Sequence, residues 1–132
     1  MSETEIPEAL RYSLEDEWIR DDGDRVVIGI TDYAQQQLGD IVFVELPEVG
    51  AIIDRGEAFG VIESVKAVSD LFAPITGKVL AVNDELAERP EAVNEDCYGD
   101  GWILAVSSSD PGEIQALLDV QAYRKHVDER AE

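Results

Sequence analysis

The most constraining feature of the sequence is a hairpin pattern at residues 59–79. Short apolar runs lie on both sides of residues 63–67, which predicts two strands joined by a tight, two-residue tip that carries Lys66. Turn residues at 54–57 and 76–77 bound the pattern. A lysine held at such a tip presents its amine to a molecule outside the protein.

Similar short apolar runs, separated by turn residues, continue along the chain. Strands are predicted as a short pair at 10–20 and singly at 25–30, 41–46, 78–82 and 102–106. Thr31 or Asp32 can cap a short helix that Gly39 is placed to end. Many short strands with few helices favour a mainly β fold, either a sandwich or a flattened barrel.

The remaining segments are predicted to be helical or irregular. The polar composition of residues 83–101 predicts a long surface segment with one helical turn. Asp110 begins a C-terminal helix that continues into the tail. Residues 1–9 and 127–132 are charged and are expected to be frayed. A length of 132 residues allows a single domain, which we assign to residues 1–132.

The charge balance restricts the partners. The formal net charge is −20, from 30 acidic and 10 basic residues, and such a surface repels nucleic acid and anionic membranes. The acidity suits basic protein partners, and it also fits a cytosol of very high salt, where self-repulsion is screened. The N-terminus lacks the pattern of a signal peptide, and no apolar run could span a bilayer, so we expect a cytoplasmic protein.

The sequence gives little support for a catalytic or metal site built on histidine or cysteine, or for a phosphate-binding loop. His126 is the only histidine, and its charged surroundings predict a solvated side chain. Cys97 is the only cysteine, which excludes an intrachain disulfide, and its acidic neighbours predict a poorly nucleophilic thiol. With one residue of each type, a metal site built on histidine or cysteine is excluded. Residues 56–60 lack the Lys-Ser/Thr pair of a phosphate loop.

Lys66 is therefore the strongest candidate for a functional side chain. It is one of only three lysines, its neighbours Val65 and Ala67 are small and apolar, and Glu63 and Asp70 bracket the tip. These features favour an acylation site over an ordinary surface lysine.

The hairpin resembles a lipoyl attachment site, and the chain as a whole is similar to the H proteins of the glycine cleavage system. The matching motifs are YSLEDEWIR (12–20), GITDYAQQQLGDIVFVELPEVG (29–50), FGVIESVKAVSDLFAPITGKV (59–79), NEDCYGDGW (94–102) and the helical end at 117–123. They follow the family's order from Tyr12 to Tyr123. The resemblance implies a hybrid barrel-sandwich fold of the lipoyl/biotinyl type with a short internal helix and a C-terminal helix.

The resemblance implies a carrier rather than an enzyme. Lys66 would bear lipoic acid through an amide, attached by a lipoate ligase or by a lipoyl/octanoyl transferase. A pyridoxal-phosphate glycine decarboxylase would load an aminomethyl group onto the arm, and a tetrahydrofolate-dependent aminomethyltransferase would remove it. A dihydrolipoyl dehydrogenase would then reoxidise the arm. We expect the protein to be a monomer.

The resemblance also assigns roles to four further residues. Glu63 matches the acid that helps the lipoylating enzyme recognise the hairpin, and Gly77 matches a recurring glycine at a turn beyond the lysine. Glu17 and Asp70 match acids of a cleft that shelters the amine of the loaded arm, where carboxylates can pair with an ammonium.

Some positions depart from the family pattern. Glu15 and Asp16 replace Ser or Thr and His of many relatives, Tyr33 replaces a histidine of some, and Cys97 replaces the usual proline. The hairpin itself is unaffected. Two alternatives stay open: a biotin carrier domain, although its lysine is usually flanked by methionines, and a relay protein that passes lipoate to other complexes.

Overall fold

The computed structural model describes residues 4–130, which form two antiparallel sheets. The strands are β1 Arg11–Tyr12, β2 Glu17–Asp21, β3 Val26–Ile30, β4 Ile41–Glu45, β5 Ile52–Ile53, β6 Ala58–Ser64, β7 Val68–Phe72, β8 Gly77–Val82 and β9 Leu104–Ser108. One sheet has the order β1-β2-β3-β9-β8-β5, and the other has the order β4-β6-β7. The prediction of a mainly β fold is confirmed.

The main hydrophobic core lies between the sheets. Ile28 and Leu104 from the larger sheet join Ile62 and Leu71 from the smaller one in a single buried cluster. On β6 and β7 the buried residues Ile62, Ser64 and Leu71 alternate with more exposed neighbours, as expected for a sheet with one covered face. The smaller sheet therefore has one face free, and its hairpin carries Lys66.

The internal helix α1 spans Asp32–Leu38 and confirms the prediction. The Thr31 hydroxyl accepts a hydrogen bond from the backbone N–H of Ala34 at 3.2 Å, which caps the first turn. Gly39 ends the helix with φ +81°, a conformation that favours glycine, and its N–H donates to the carbonyl of Gln35. This stop directs the chain into β4.

The predicted surface segment at residues 83–101 contains more order than expected. It forms a 3-10 helix at Asp84–Ala87 and a short helix α2 at Ala92–Glu95. Leu86 and Val93 are buried in the main core, so this segment covers one end of the sandwich. The expectation of a surface segment with a single helical turn was wrong because these isolated apolar residues carry no periodic signal.

The C-terminal region contains two helices rather than one continuous helix. Helix α3 spans Pro111–Gln115 with Asp110 as its N-cap, and α4 spans Val120–Arg130. Leu118 lies between them and exchanges backbone hydrogen bonds with Tyr12. The helix is interrupted because this pairing requires an extended backbone. Within residues 4–130, no helix is both long and apolar enough to cross a membrane.

The expectation of frayed ends is wrong for residues 4–9 and 127–130. Ile6 and Val127 are buried in a second hydrophobic cluster, where the rings of Tyr12 and Tyr123 stack with centroids 4.6 Å apart. The charged composition of the ends conceals these few apolar residues, which are enough to dock both ends. The rest of the predicted frayed ends, residues 1–3 and 131–132, lies outside the described residues.

Gly77 lies at the start of strand β8, where it pairs with Ser108, and not in a turn as predicted. A Cβ on this residue would lie 2.3 Å from the carbonyl oxygen of Ser107. The glycine is thus required by the close approach of β8 and β9.

We expect Gly77→Ala to destabilise the protein by about 2 to 3 kcal/mol, since backbone atoms would have to move to admit a methyl group. Urea unfolding monitored by tryptophan fluorescence measures this loss. Gly112→Ala is the control because its Cβ would meet only the side-chain carboxylate of Asp110, at 3.2 Å. Equal unfolding free energies for the two variants would contradict the close-packing argument.

Candidate functional site

The tip of the β6–β7 hairpin holds Lys66 on a well-fixed backbone. The strands end at Ser64 and begin again at Val68, so the connection has three residues rather than the predicted two. The N–H of Ser64 donates to the carbonyl of Ala67 at 2.8 Å. The Ser64 hydroxyl accepts from the N–H groups of Lys66 and Ala67 at 3.3 and 3.0 Å. These bonds restrain the tip while the Lys66 side chain remains exposed.

The end of helix α1 supports the tip from one side. The N–H of Val65 donates to the carbonyl of Asp40 at 3.0 Å, which joins the hairpin to the start of β4. The Lys66 stem lies along Gly39, where a Cβ would be 3.3 Å from Lys66 Cε. The glycine that ends the helix thus also leaves room for the lysine.

A cleft of about 170 Å³ opens between α1 and β7. Ala34 and Leu38 line it from the helix, and Glu17 and Asp70 line it from the strands. Glu17 is 2% exposed, whereas Asp70 is exposed, so the two acids lie at the base and at the rim. The structure therefore brings together the two residues expected to meet the amine. Leu38 directly precedes Gly39, which places the cleft beside the Lys66 stem.

Glu17 is a buried carboxyl group with local hydrogen-bond partners. The Ser13 hydroxyl donates to Oε1, and the backbone N–H of Phe72 donates to Oε2 at 3.2 Å. Burial raises the pKa of Glu17 to about 8, and the nearby charges of Glu15 and Asp16 add to the rise, although the hydrogen bonds oppose it. The side chain holds its proton at neutral pH, and a cation in the cleft would favour its ionised form.

Beside the cleft, the C-terminal helix forms a polar network that the sequence patterns did not indicate. Asp16, at φ +72°, accepts hydrogen bonds from Arg130 at 2.6 and 3.0 Å and from the Tyr123 hydroxyl at 2.8 Å. The Arg130 guanidinium also lies 4.6 Å from the ring centroid of Tyr33. One indication of this network was present in the sequence: Asp16 and Tyr33 both depart from the family pattern.

The other candidate residues lie apart from the cleft. Glu63 is half-buried and pairs with Phe43 and Val68 on neighbouring strands, two residues before the tip. His126, expected to be solvated, is half-buried, with Nε2 3.0 Å from the carbonyl oxygen of Leu14.

Cys97 is buried, and burial raises the pKa of its thiol to about 12, consistent with a passive role. Among residues 4–130, no group of acids, histidines and cysteines is arranged to hold a metal ion.

Comparison with known proteins identifies the family. The family model described as "Glycine cleavage H-protein" matches residues 10–130. The glycine cleavage system H protein of Anaeromyxobacter sp. strain K is 57% identical over 126 residues, covering 96% of this chain and 98% of that protein. The H protein of Carboxydothermus hydrogenoformans is 54% identical over 127 residues, with the same coverage of both chains.

A solved structure gives the same result. The crystal structure of a glycine cleavage system H protein from Mycobacterium marinum superposes with a TM-score of 0.83 at 35% sequence identity. The match covers 96% of this chain and 100% of that one, and it confirms the expected barrel-sandwich fold. This chain belongs to the glycine cleavage H-protein family.

Proposed function

We propose that Lys66 bears lipoic acid in amide linkage and that the protein carries the aminomethyl group of glycine between the enzymes of the glycine cleavage system. The family carries covalent lipoate on a lysine and is not itself catalytic. The observation that supports Lys66 is its exposed side chain on a hydrogen-bonded tip beside a cleft whose lining includes Glu17 and Asp70. The biotin-carrier alternative is wrong, because the family is a lipoyl family.

The residues around Lys66 fit a lipoyl arm. The exposed amine is accessible to acylation, and the stem lies along Gly39, the residue after Leu38 of the cleft lining. When attached, the lipoyl dithiolane supplies the thiol–disulfide chemistry by which the aminomethyl group and two electrons are accepted. The protein contributes attachment, orientation and shelter.

Glu17 and Asp70 bind the cationic amine of the loaded arm. Asp70 provides a carboxylate at the rim, and Glu17 provides a buried carboxyl group that ionises when an ammonium lies close to it. The burial of Glu17 at the base of the cleft also excludes water from that side of the bound amine. Glu63, two residues before the tip, is the residue that the lipoylating enzyme recognises.

The glycine cleavage system implies three enzyme partners: glycine decarboxylase, aminomethyltransferase and dihydrolipoyl dehydrogenase. A lipoate ligase or a lipoyl/octanoyl transferase supplies the arm. We further propose a cytoplasmic monomer that forms one domain over residues 1–132. Its net charge of −20 supports a working environment of high salt, which a rise of the unfolding midpoint with molar salt would demonstrate.

The proposed function is tested by reconstitution. Glycine decarboxylase is assayed by exchange of the glycine carboxyl carbon with labelled bicarbonate, with the lipoylated protein, with the unmodified protein and without either. We expect exchange to depend on the lipoylated form. Exchange that is independent of the lipoylated protein would contradict the cleavage role and favour the alternative role of a lipoate relay.

A further inference from the structure

An exposed apolar patch lies on the free face of the smaller sheet, next to the Lys66 tip. Phe43 pairs with Glu63, and Glu63 pairs with Val68, so these three side chains form one row across β4, β6 and β7. The exposed fraction is 48% for Phe43 and 70% for Val68. The neighbouring residues Ile62 and Leu71 point to the core instead.

A β-bulge enlarges this patch. The register of β4 shifts between Ile41 and Phe43, and as a result Val42 and Phe43 are both exposed although they are adjacent in sequence. Bulges re-aim side chains in this way and often lie near functional sites. We call Val42, Phe43 and Val68, with the acids that surround them, the tip-side face.

The charges on the tip-side face have one sign. Glu45 and Glu63 lie on the outward rows of β4 and β6, and β4, β6 and β7 contain no lysine or arginine. A partner that covers this face must therefore offer an apolar centre flanked by cationic side chains.

The tip-side face is continuous with the hairpin tip. Val65 is 70% exposed, and its N–H is bonded to Asp40, two residues before Val42. The end of helix α1 lies against the Lys66 stem at Gly39, whereas Val65 and Val68 are both 70% exposed. An approaching protein therefore reaches Lys66 from the side of Val65 and Val68.

We propose that the tip-side face is the docking surface of the enzyme that acylates Lys66. The proposal rests on the proposed function. An enzyme that acts on the far end of the arm can remain distant from the hairpin, whereas the acylating enzyme must bring its acyl carbon to Nζ itself. Its surface then covers the tip and the adjoining strands, and its basic residues meet Glu45 and Glu63.

The acylation step balances without an oxidant or a reductant. With a lipoyl adenylate as donor, the acyl–oxygen bond breaks, the amide C–N bond forms at Lys66 Nζ, and AMP and two protons leave.

The test uses full-length unmodified protein and a purified lipoate ligase with lipoate and ATP. The double variant Val42→Ser/Phe43→Ser removes the bulge patch, and we expect kcat/KM for acylation of Lys66 to fall roughly tenfold, mainly through KM. Intact-mass analysis over time gives the rate. Val49→Ser/Ile52→Ser is the matched control because its apolar residues are at least as exposed, at 61% and 64%, but lie elsewhere. The control should react like the wild type.

The outcomes separate this proposal from the proposed function. A wild-type protein that the ligase fails to acylate contradicts the proposed function. Acylation of the wild type and of the Val42/Phe43 variant at equal rates overturns the docking surface alone, as does equal slowing in the control. If the double variant fails to fold, Val68→Ser gives the same test at a single exposed position. A wild-type dimer that Phe43→Ser dissociates would assign the face to self-association instead.

Discussion

Replacing Lys66 with arginine should abolish lipoyl attachment, and with it every activity that depends on the arm. Arginine keeps the positive charge and a long apolar stem, so the packing along Gly39 is largely retained. The guanidinium remains protonated and is not a nucleophile at physiological pH. Intact-mass analysis after incubation with ligase, lipoate and ATP should show one lipoyl addition in the wild type and none in Lys66→Arg.

The control for this experiment is Lys78→Arg, which replaces another exposed lysine, on strand β8. It should accept one lipoyl group at the wild-type rate. Lipoyl addition to Lys66→Arg, or its loss in Lys78→Arg, would show that the attachment site had been misassigned.

Replacing Glu17 with glutamine should change how stability depends on pH. Folding raises the pKa of Glu17 from 4.5 to about 8, so the folded protein binds this proton more tightly than the unfolded chain. The resulting stabilisation is fully present below about pH 4.5 and is lost as the pH rises to 8. Glutamine does not ionise, and its amide can accept from the Phe72 N–H and donate to the Ser13 hydroxyl.

Between pH 5 and pH 8, the unfolding free energy of Glu17→Gln should therefore rise relative to the wild type by about 3 kcal/mol. Urea titrations at several pH values measure the difference. The control, Glu57→Gln, alters an exposed acid and should show no such trend. A pH-independent difference between Glu17→Gln and the wild type would contradict the raised pKa of Glu17.

The same substitution tests the proposed amine site. With the aminomethyl-loaded arm, Glu17→Gln removes the group that would become a carboxylate at the base of the cleft. We expect faster spontaneous release of ammonia than from the wild type. An unchanged release rate would remove Glu17 from the site while leaving its pH-dependent stability intact.

The parts of the structure that the sequence predicted are those governed by local signals. Helix α1 has its cap at Thr31 and its stop at Gly39, eight residues apart. The hairpin that carries Lys66 is formed by neighbouring strands, and its apolar alternation identifies the inward face. In both cases, interactions between residues close in sequence were sufficient to predict the element, although the tip is one residue longer than predicted.

The missed features depend on residues far apart in the chain. The carboxyl group of Glu17 accepts from the N–H of Phe72, and Asp16 binds Arg130 from the opposite end. Gly77 is required by the carbonyl of Ser107, a neighbour supplied by the strand order. No pattern within a short window encodes such contacts, because tertiary pairing creates them.

The docking of both chain ends has a consequence for synthesis on the ribosome. The sheet that bears Lys66 uses only residues 41–72, so its strands can pair while the polypeptide is still growing. Asp16 lines the cleft, and its partner Arg130 is translated 114 residues later. The hairpin can therefore form on the nascent chain before the cleft is completed.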